Sequence, residues 1–558
     1  MRLSRLIPGL TAAIGTAFVL VRLPTATASL PGGAGGGNLA PHIGRLELAL
    51  DTGRLLHGEL GPLDWLRRLD GDFPPLVTFV HWLLAAPFGQ DLAVASFVGW
   101  LWVLLLALGV GGVARELAAA DQAERAGAAA ATGVLLLAPL QAFAVRTWYD
   151  LPMLALLFAG LALLLRAEEL RGGAVAGGVA LLACLAKWTA LPLLAICGAG
   201  VLLHTRRWRP ILGAVAVLGA GLLLWFAVVP VGGDPGSYAA MTGTFDPNPQ
   251  TEPVPGWLAS VLPATLERAL GRTRWLNQHT GTLWRAFHLR WLVWSVLSPL
   301  VTLLLVPLWL RWLAGGLRGG AVVLTTFFGH WLFLLLLVPV ADERFFLSGA
   351  LAALVAAALG WAALGGQARL LAGALVGLAL LAVGAEFHLG DDGPHPEIDG
   401  PLATLSEPGT WRLRSASQPD LAWARGDSPI EWAPTLQQAL WDEVVRCDAR
   451  VIGLSEDRDG GLVPVIGSWR WWTLRFLEET VRTGADRRRT VDVRAQDGVP
   501  EGSPPVDLFI VPWDPPAPPS GPVFLGADGL ALQAQFAPQP GEWERGAAVW
   551  RPEERDCP

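Results

Sequence analysis

Lysine is almost missing from this chain: of 41 basic residues, Lys187 is the only lysine and the rest are arginine. Tyrosine is nearly as scarce, with two residues, and cysteine numbers four with no Cys-x-x-Cys pair. The nine histidines are scattered, so the spacings that build structural zinc sites are absent. Gly460-Gly461 stands without the further glycines of a phosphate-binding fingerprint and reads as a turn. Charge is thin as well, at 16% of residues, which excludes an ordinary soluble enzyme. The net charge of −7 does not mark a nucleic-acid binder: the acids gather in the C-terminal tail and the bases punctuate apolar segments.

What is there is apolar. With 53% hydrophobic residues over 558 positions and a mean hydropathy of +0.44, the composition is that of a polytopic membrane protein with room for one further domain. Candidate spans fall at 6–23, 91–114, 127–145, 151–166, 172–186, 188–203, 211–231, 291–310, 320–340, 346–364 and 370–388, about eleven in all. The first resembles a signal peptide, with Ala26-Thr27-Ala28 as a cleavage-like site, but is read as an uncleaved span. If the N-terminus is inside, the inner loops hold Arg115 and Arg125, Arg166 and Arg171, Arg206-Arg207-Arg209, Arg311 and Arg318, and Arg369. Every arginine cluster between spans then obeys the positive-inside rule. The segment 74–88, opened by Pro74-Pro75, is too short to cross and reads as an interfacial helix on the outer leaflet.

On this map the isolated charges share one face. Asp72 heads the interfacial helix, and Tyr149-Asp150 opens the fourth span. Lys187 lies at the turn between the fifth and sixth spans, and Asp342-Glu343-Arg344 between the ninth and tenth. An ionisable residue at a membrane segment marks a functional site by default, because burying it costs several kcal/mol unless it is paired. Read alone, Lys187 snorkels to the interface and Asp150 caps a helix; their joint placement points to a site. Lysine and arginine at the headgroups hold a lipid-linked phosphate, and carboxylates above them act on a sugar.

These residues resemble the GT-C superfamily of membrane glycosyltransferases that use polyprenyl-phosphate sugars. Within it they are similar to bacterial protein O-mannosyltransferases and lipid A aminoarabinose transferase. The resemblance lies in Gly71-Asp72-Phe73-Pro74-Pro75-Leu76, Arg146-Thr147-Trp148-Tyr149-Asp150, Ala186-Lys187-Trp188-Thr189 and Asp342-Glu343-Arg344-Phe345-Phe346. It covers residues 1–390 and implies there a polytopic all-α, GT-C-like membrane domain; the tail 391–558, where strands alternate with a helix, reads as a small extracytoplasmic α/β domain. The resemblance also implies an integral protein of a bacterial inner membrane, with a polyprenyl-phosphate-linked sugar, an extracytoplasmic acceptor and the lipid bilayer as partners and no nucleic acid. The implied reaction inverts the anomeric centre. Asp72 and Asp150 carry the acid-base work, and Lys187, Arg344, Tyr149 and Glu343 bind substrate. Some relatives place a divalent ion near such acids; no ligand pattern here calls for one.

One departure is plain. The family sets an acid just after the first span, where this chain reads Asn38-Leu-Ala-Pro41-His42-Ile-Gly-Arg45-Leu-Glu47-Leu-Ala-Leu-Asp51. His42 or Asn38 stands near that position, which leaves three alternatives: His42 is the base, Asp72 takes over that role, or the chain does not catalyse the family reaction. Glu47 and Asp51, four apart on one helical face, read as solvated.

In the loop 232–290, Leu283-Trp284-Arg285-Ala-Phe287-His288-Leu-Arg290-Trp291 interleaves aromatic and basic residues, as suits a helix on phosphate headgroups. In the tail, 450–454, 490–494 and 506–511 read as strands and 469–483 as a helix. Cys447 and Cys557 fall together outside, where an oxidising compartment permits pairing. The rival reading is a non-enzymatic transporter or binder of a lipid phosphate; it predicts charges spread through the membrane depth and internal repeats, and neither is present.

Overall fold

The structure, a computed structural model, describes residues 3–29, 40–68, 74–145, 147, 149–229, 260, 296–337, 347–389, 434–455, 477–482, 489–493, 505–513, 530–537, 546–554 and 557. The chain forms two compact units. The first takes Met1–Arg22, Leu66–Val77 and Phe97–Leu421; the second takes Leu23–Trp65, Thr78–Ser96 and Ala422–Pro558. Two early stretches, Leu23–Trp65 and Thr78–Ser96, thus group with the tail from Ala422 onward.

The first unit is helical. Its elements are α1 (Leu3–Ser29), α5 (Leu92–Leu117), α6 (Ala123–Leu136), α7 (Ala138–Val145), α8 (Asp150–Arg166), α9 (Leu170–Ala186), α10 (Ala190–Thr205) and α11 (Trp208–Val228), then α12 (Pro299–Ala314), α13 (Gly320–Leu337), α14 (Leu347–Ala362) and α15 (Gly366–Leu389). The boundaries of the second unit fall inside α1 and α5. Among the described residues three helices are long and apolar enough to cross a membrane, Leu92–Leu117, Trp208–Val228 and Gly366–Ala385, or four if a bent pair counts as one span. Most of the other expected spans are shorter apolar helices.

Proline chemistry explains the bent pair. The expected span 127–145 breaks at Leu137, and α6 and α7 meet at 60°. Pro139 lacks the N–H that would bond Leu135, four residues back, and its ring would clash there. The Gln141 side chain donates to that carbonyl instead, at 2.8 Å.

Small residues set the packing, as they do between helices in lipid. A Cβ at Gly173 would lie 1.9 Å from the Pro210 carbonyl oxygen, and one at Gly177 would lie 2.4 Å from that of Ala214. The two glycines sit four apart on one face of α9 and let α11 approach backbone to backbone. Helix α8 is buried over most of its length, packed by α9 on one flank and α10 on another.

The arginine loops gather at one end of this unit. Arg207, between α10 and α11, donates to the Ala167 carbonyl at 3.4 Å and pairs with Glu168 at 3.4 Å, both between α8 and α9. Arg311, at the end of α12, donates to the Ala363 carbonyl between α14 and α15 at 3.3 Å. Gly319, between α12 and α13, has φ +69°, and a Cβ there would meet Leu117 at 2.9 Å. Leu117 ends α5, beside Arg115, which pairs with Glu124 at 3.0 Å.

The second unit contains α2 (Ala40–Leu56), α3 (Pro62–Arg67) up to Trp65, α4 (Leu76–Ala85) from Thr78, a 3-10 turn (Ala86–Phe88), α16 (Pro434–Arg446) and five strands. The strands are β1 (Val451–Ser455), β2 (Arg489–Val493), β3 (Leu508–Trp513), β4 (Leu530–Phe536) and β5 (Gly546–Pro552). They form one sheet in the order β2-β1-β3-β5-β4, parallel over the first three and antiparallel beyond. The period of two along β3 and β5 divides two cores. Leu508, Ile510, Ala547 and Val549 face one with Leu436, Leu440 and Val444 of α16; Phe509, Val511, Ala548 and Trp550 face the other. A disulfide joins Cys447, just after α16, to Cys557, enclosing the whole sheet. The segments 450–454, 490–494 and 506–511 thus match strands to within two residues. A helical turn at 477–482 lies within the expected helix 469–483, whose remainder is outside the described residues, as is the loop 232–290 apart from Ser260.

Candidate functional site

The site is built from two helix starts with the same local sequence logic. Helix α8 opens as Tyr149-Asp150-Leu151-Pro152 and α10 as Thr189-Ala190-Leu191-Pro192. A proline in the first turn costs no intrahelical bond, but four residues back it forbids helical continuation. Thus α9 cannot run through into α10. Lys187 caps α9 in an extended conformation, φ −162° and ψ 129°, its own N–H bonding the Ala183 carbonyl at 3.0 Å. The next helix starts from the Lys187 carbonyl, which accepts from Ala190 N–H at 3.0 Å. Before α8, Thr147 is buried with φ 53°, a left-handed kink that delivers Tyr149 and Asp150 to the head of the helix.

The two charges meet there. Lys187 Nζ donates to Asp150 Oδ1 at 2.6 Å, with the lysine side chain 12% exposed and the aspartate 3%. Asp150 lies in the first turn of α8, where the helix N-terminus favours a carboxylate. Thr189 Oγ1 donates to Met153 Sδ at 3.3 Å, a second link from this turn to α8. Trp188 stacks on Phe226 near the end of α11, with centroids 5.3 Å apart. The pair lies at the start of α8, whose other end carries Arg166 and the arginine loops. Tyr149 is buried beside it. A buried, charge-assisted pair of this kind holds a carboxylate in one orientation.

The remaining expected residues fare differently. Asp72, Glu343 and Arg344 lie outside the described residues. His42 is fully buried in α2, in the second unit, and its Nδ1 accepts from Arg45 Nε at 3.4 Å. Burial, with the neighbouring Arg45 charge, holds its pKa well below the ordinary histidine value. A neutral imidazole without solvent exposure, engaged by a guanidinium, is not poised to take a proton from an acceptor. Asp51 is bonded by Arg54 at 3.3 Å and only slightly exposed, not solvated as its helical face suggested.

Around His42 the structure reveals residues that sequence reasoning did not single out together. Arg45 is fully buried; its Nη1 donates to both the backbone and the side-chain oxygen of Gln90, the latter at 3.2 Å. Burial lowers its pKa to about 10, against the pull of Glu478 and Asp91. His81, expected at an interface, is buried with Nδ1 2.8 Å from the Ala95 carbonyl, and burial depresses its pKa to about 3. A signal was present: His42, Arg45 and Leu46 are i, i+3, i+4, the spacing of one helical face. No group of three His, Cys, Asp or Glu able to hold a metal occurs among the described residues.

No protein-family model matches the chain, and no curated protein does. Among solved structures it is similar to ArnT from Cupriavidus metallidurans in the apo state, at 15% identity and TM-score 0.47, covering 96% of this chain and 97% of that one. The same protein bound to undecaprenyl phosphate matches at 12% identity and TM-score 0.46 with the same coverage. The oligosaccharyltransferase of Archaeoglobus fulgidus matches at 12% identity and TM-score 0.39, over 83% of this chain and 64% of that one.

Proposed function

We propose that this protein is an inverting membrane glycosyltransferase that moves a sugar from a polyprenyl-phosphate carrier to an acceptor outside the cytoplasm. The observation that carries the reading is the buried Lys187–Asp150 pair, 2.6 Å apart at the end of the helices opposite the arginine loops. Two residues 37 apart, each an isolated charge in apolar sequence, are brought together; in this reading the headgroup phosphate lies beside them. The ammonium has three donors, enough to hold Asp150 and a phosphate oxygen at once. Arg344 supplies the forked contact to the same phosphate. Glu343 lines the carrier and Tyr149 donates to it or to the acceptor.

The acceptor hydroxyl gives its proton to the Asp72 carboxylate, its oxygen attacks the anomeric carbon, and the bond from that carbon to the phosphate oxygen breaks with its electron pair. Polyprenyl phosphate leaves, its growing charge met by Lys187 and Arg344. Attack opposite the leaving group inverts the centre. Asp150 holds Lys187 in place for that step. A divalent cation beside Asp72 is compatible with this scheme and not required by it. The test is mass spectrometry of cell-surface glycans and lipids with and without the protein, paired with release of polyprenyl phosphate from a labelled lipid-phosphate sugar by purified protein. A glycan that disappears with the gene, and carrier release that needs the protein, support the reading. Normal surface glycans and no release would sink it.

A further inference from the structure

We propose that Trp188 is a positioning residue for Lys187: stacked on Phe226, its ring pins the turn between α9 and α10 so that the ammonium stays on Asp150. This rests on the reading of Lys187 as the holder of the carrier phosphate. All the residues involved belong to the first unit.

The need for such a pin follows from the lysine itself. An ammonium on a flexible four-carbon stem has many rotamers, so its place depends on how firmly its backbone is held. Three residues in a row hold it. Lys187 is extended, with φ −162° and ψ 129°, so its side chain and that of Trp188 leave on opposite sides. The lysine reaches Asp150 Oδ1 at 2.6 Å. Thr189, back in helical geometry with φ −62° and ψ −11°, donates to Met153 Sδ at 3.3 Å. Asp150 and Met153 lie three residues apart on α8 and share a face, so both of these contacts hold the turn from the α8 side. Trp188 holds it from the other side, its ring centroid 5.3 Å from that of Phe226 and the planes 29° apart. Remove the stack, and these contacts fasten the turn along one edge only.

Phe226 is a firm wall for this purpose. Helix α11 meets α9 closely along its length: besides the contacts at Gly173 and Gly177, a Cβ on Gly221 would lie 2.3 Å from Leu181 Cδ2. The last turn of α11 is intact at Phe226, since the Val229 N–H reaches the Trp225 carbonyl at 2.8 Å. A tryptophan acting only as an interface anchor sits at headgroup level and needs no ring partner. Trp188 is half-buried and has one, on the helix that α9 itself is packed against.

The scarcity of lysine supplies the readout. Lys187 is the only lysine, so acylation of an ε-amine by a small N-hydroxysuccinimide ester reports on this residue alone, with the N-terminal amine separated by peptide mapping. An amine held on a carboxylate stays protonated and reacts slowly; one released from it reacts faster. The experiment uses the full-length protein in one detergent, as wild type, W188L, W188F and F226L. Acylation is read at fixed pH without ligand. Binding is read with labelled undecaprenyl phosphate and with undecaprenol, and the ratio of the two affinities isolates the phosphate. An aromatic pair shifts an equilibrium by about 3- to 10-fold beyond its burial. W188L should therefore acylate about 3- to 10-fold faster than wild type and lose preference for the phosphate by a similar factor. W188F keeps a ring against Phe226 and should stay within about twofold of wild type on both readings. F226L should behave as W188L does, and it gives the same test from α11 if W188L fails to fold. In a K187M background, W188L should leave the preference unchanged. Equal losses of phosphate and alcohol binding in W188L would make Trp188 a packing residue only, and unchanged acylation would mean that the stack does not hold the lysine; either overturns the proposal. Acylation needs no ligand. A wild type that binds the phosphate no better than the alcohol would thus remove the proposed function, while the acylation series would still decide whether Trp188 positions Lys187.

Discussion

Lys187→Met is the most informative single change, because the structure makes its cost calculable and reversible. It strands the Asp150 carboxylate, 3% exposed, without the ammonium now 2.6 Å away. Removing one partner of a buried pair costs about 3–5 kcal/mol. The N-terminus of α8 returns about 0.3–1 kcal/mol by stabilising the anion, which leaves a net loss of roughly 2–4 kcal/mol. Asp150→Asn alone should cost less, because the lysine stem can carry its charge towards water. The double variant Lys187→Met with Asp150→Asn removes both charges at nearly constant volume, and such replacements are often neutral. Thermal unfolding in one detergent should rank wild type and the double variant highest, Asp150→Asn next and Lys187→Met lowest. Ranking is the appropriate readout, since large membrane proteins unfold irreversibly. All three variants should lose transfer. A double variant as damaged as the sum of the singles would show no coupling, and the pair would then not be what holds the turn.

Four other outcomes are expected. Reporters fused after residues 120, 168, 208, 315 and 368 should report the cytoplasm and one after 400 the exterior; an exterior signal at 208 would contradict the shared face of the charged motifs. Asp72→Asn should abolish transfer with donor binding intact, measured by filter binding of a labelled carrier, while His42→Ala should act through stability; the opposite pattern would make His42 the base. His81, with a folded pKa of about 3 against an ordinary 6.5, resists protonation, so its contribution is intact above pH 6.5 and is lost as pH falls towards 3, by about 1.4 kcal/mol per unit. His81→Asn, which keeps a donor for the Ala95 carbonyl, should flatten that acid dependence in a melting series. Cys447→Ser should destabilise the second unit by about 2–5 kcal/mol, since the disulfide closes a loop of 110 residues, and a reducing agent should reproduce the effect in wild type but not in the variant.

Much of the site could be read from residue scarcity. A single lysine in an apolar run and an aspartate before Leu-Pro are costly choices, and arginine sidedness put them on one face before any coordinates. Arg207 and Arg311 each bond from one of these arginine loops to another. That Lys187 binds Asp150 directly was not legible, because periodicity gives a helix face but not which neighbour it meets. The bend at Leu137 was missed for a related reason: hydropathy runs through Pro139 unbroken, and only the orphaned Leu135 carbonyl reveals it. Arg45 was passed over because an arginine in an outer loop is expected to be solvated, although its spacing from His42 and Leu46 set it on the buried face.

The interleaving of the two units has a consequence for biosynthesis. The chain leaves the second unit after Ser96 and returns to it only at Ala422. At ~5–20 residues per second, a ribosome needs on the order of half a minute to make what lies between. Throughout that time Leu46 and the buried face of α2 have emerged without the sheet that will cover them. The nascent α2 segment is thus a standing client for a chaperone or for the membrane surface. A C-terminal segment expressed by itself would lack one layer of its own core, so α2 and the sheet cannot be separated without unmaking the unit they share.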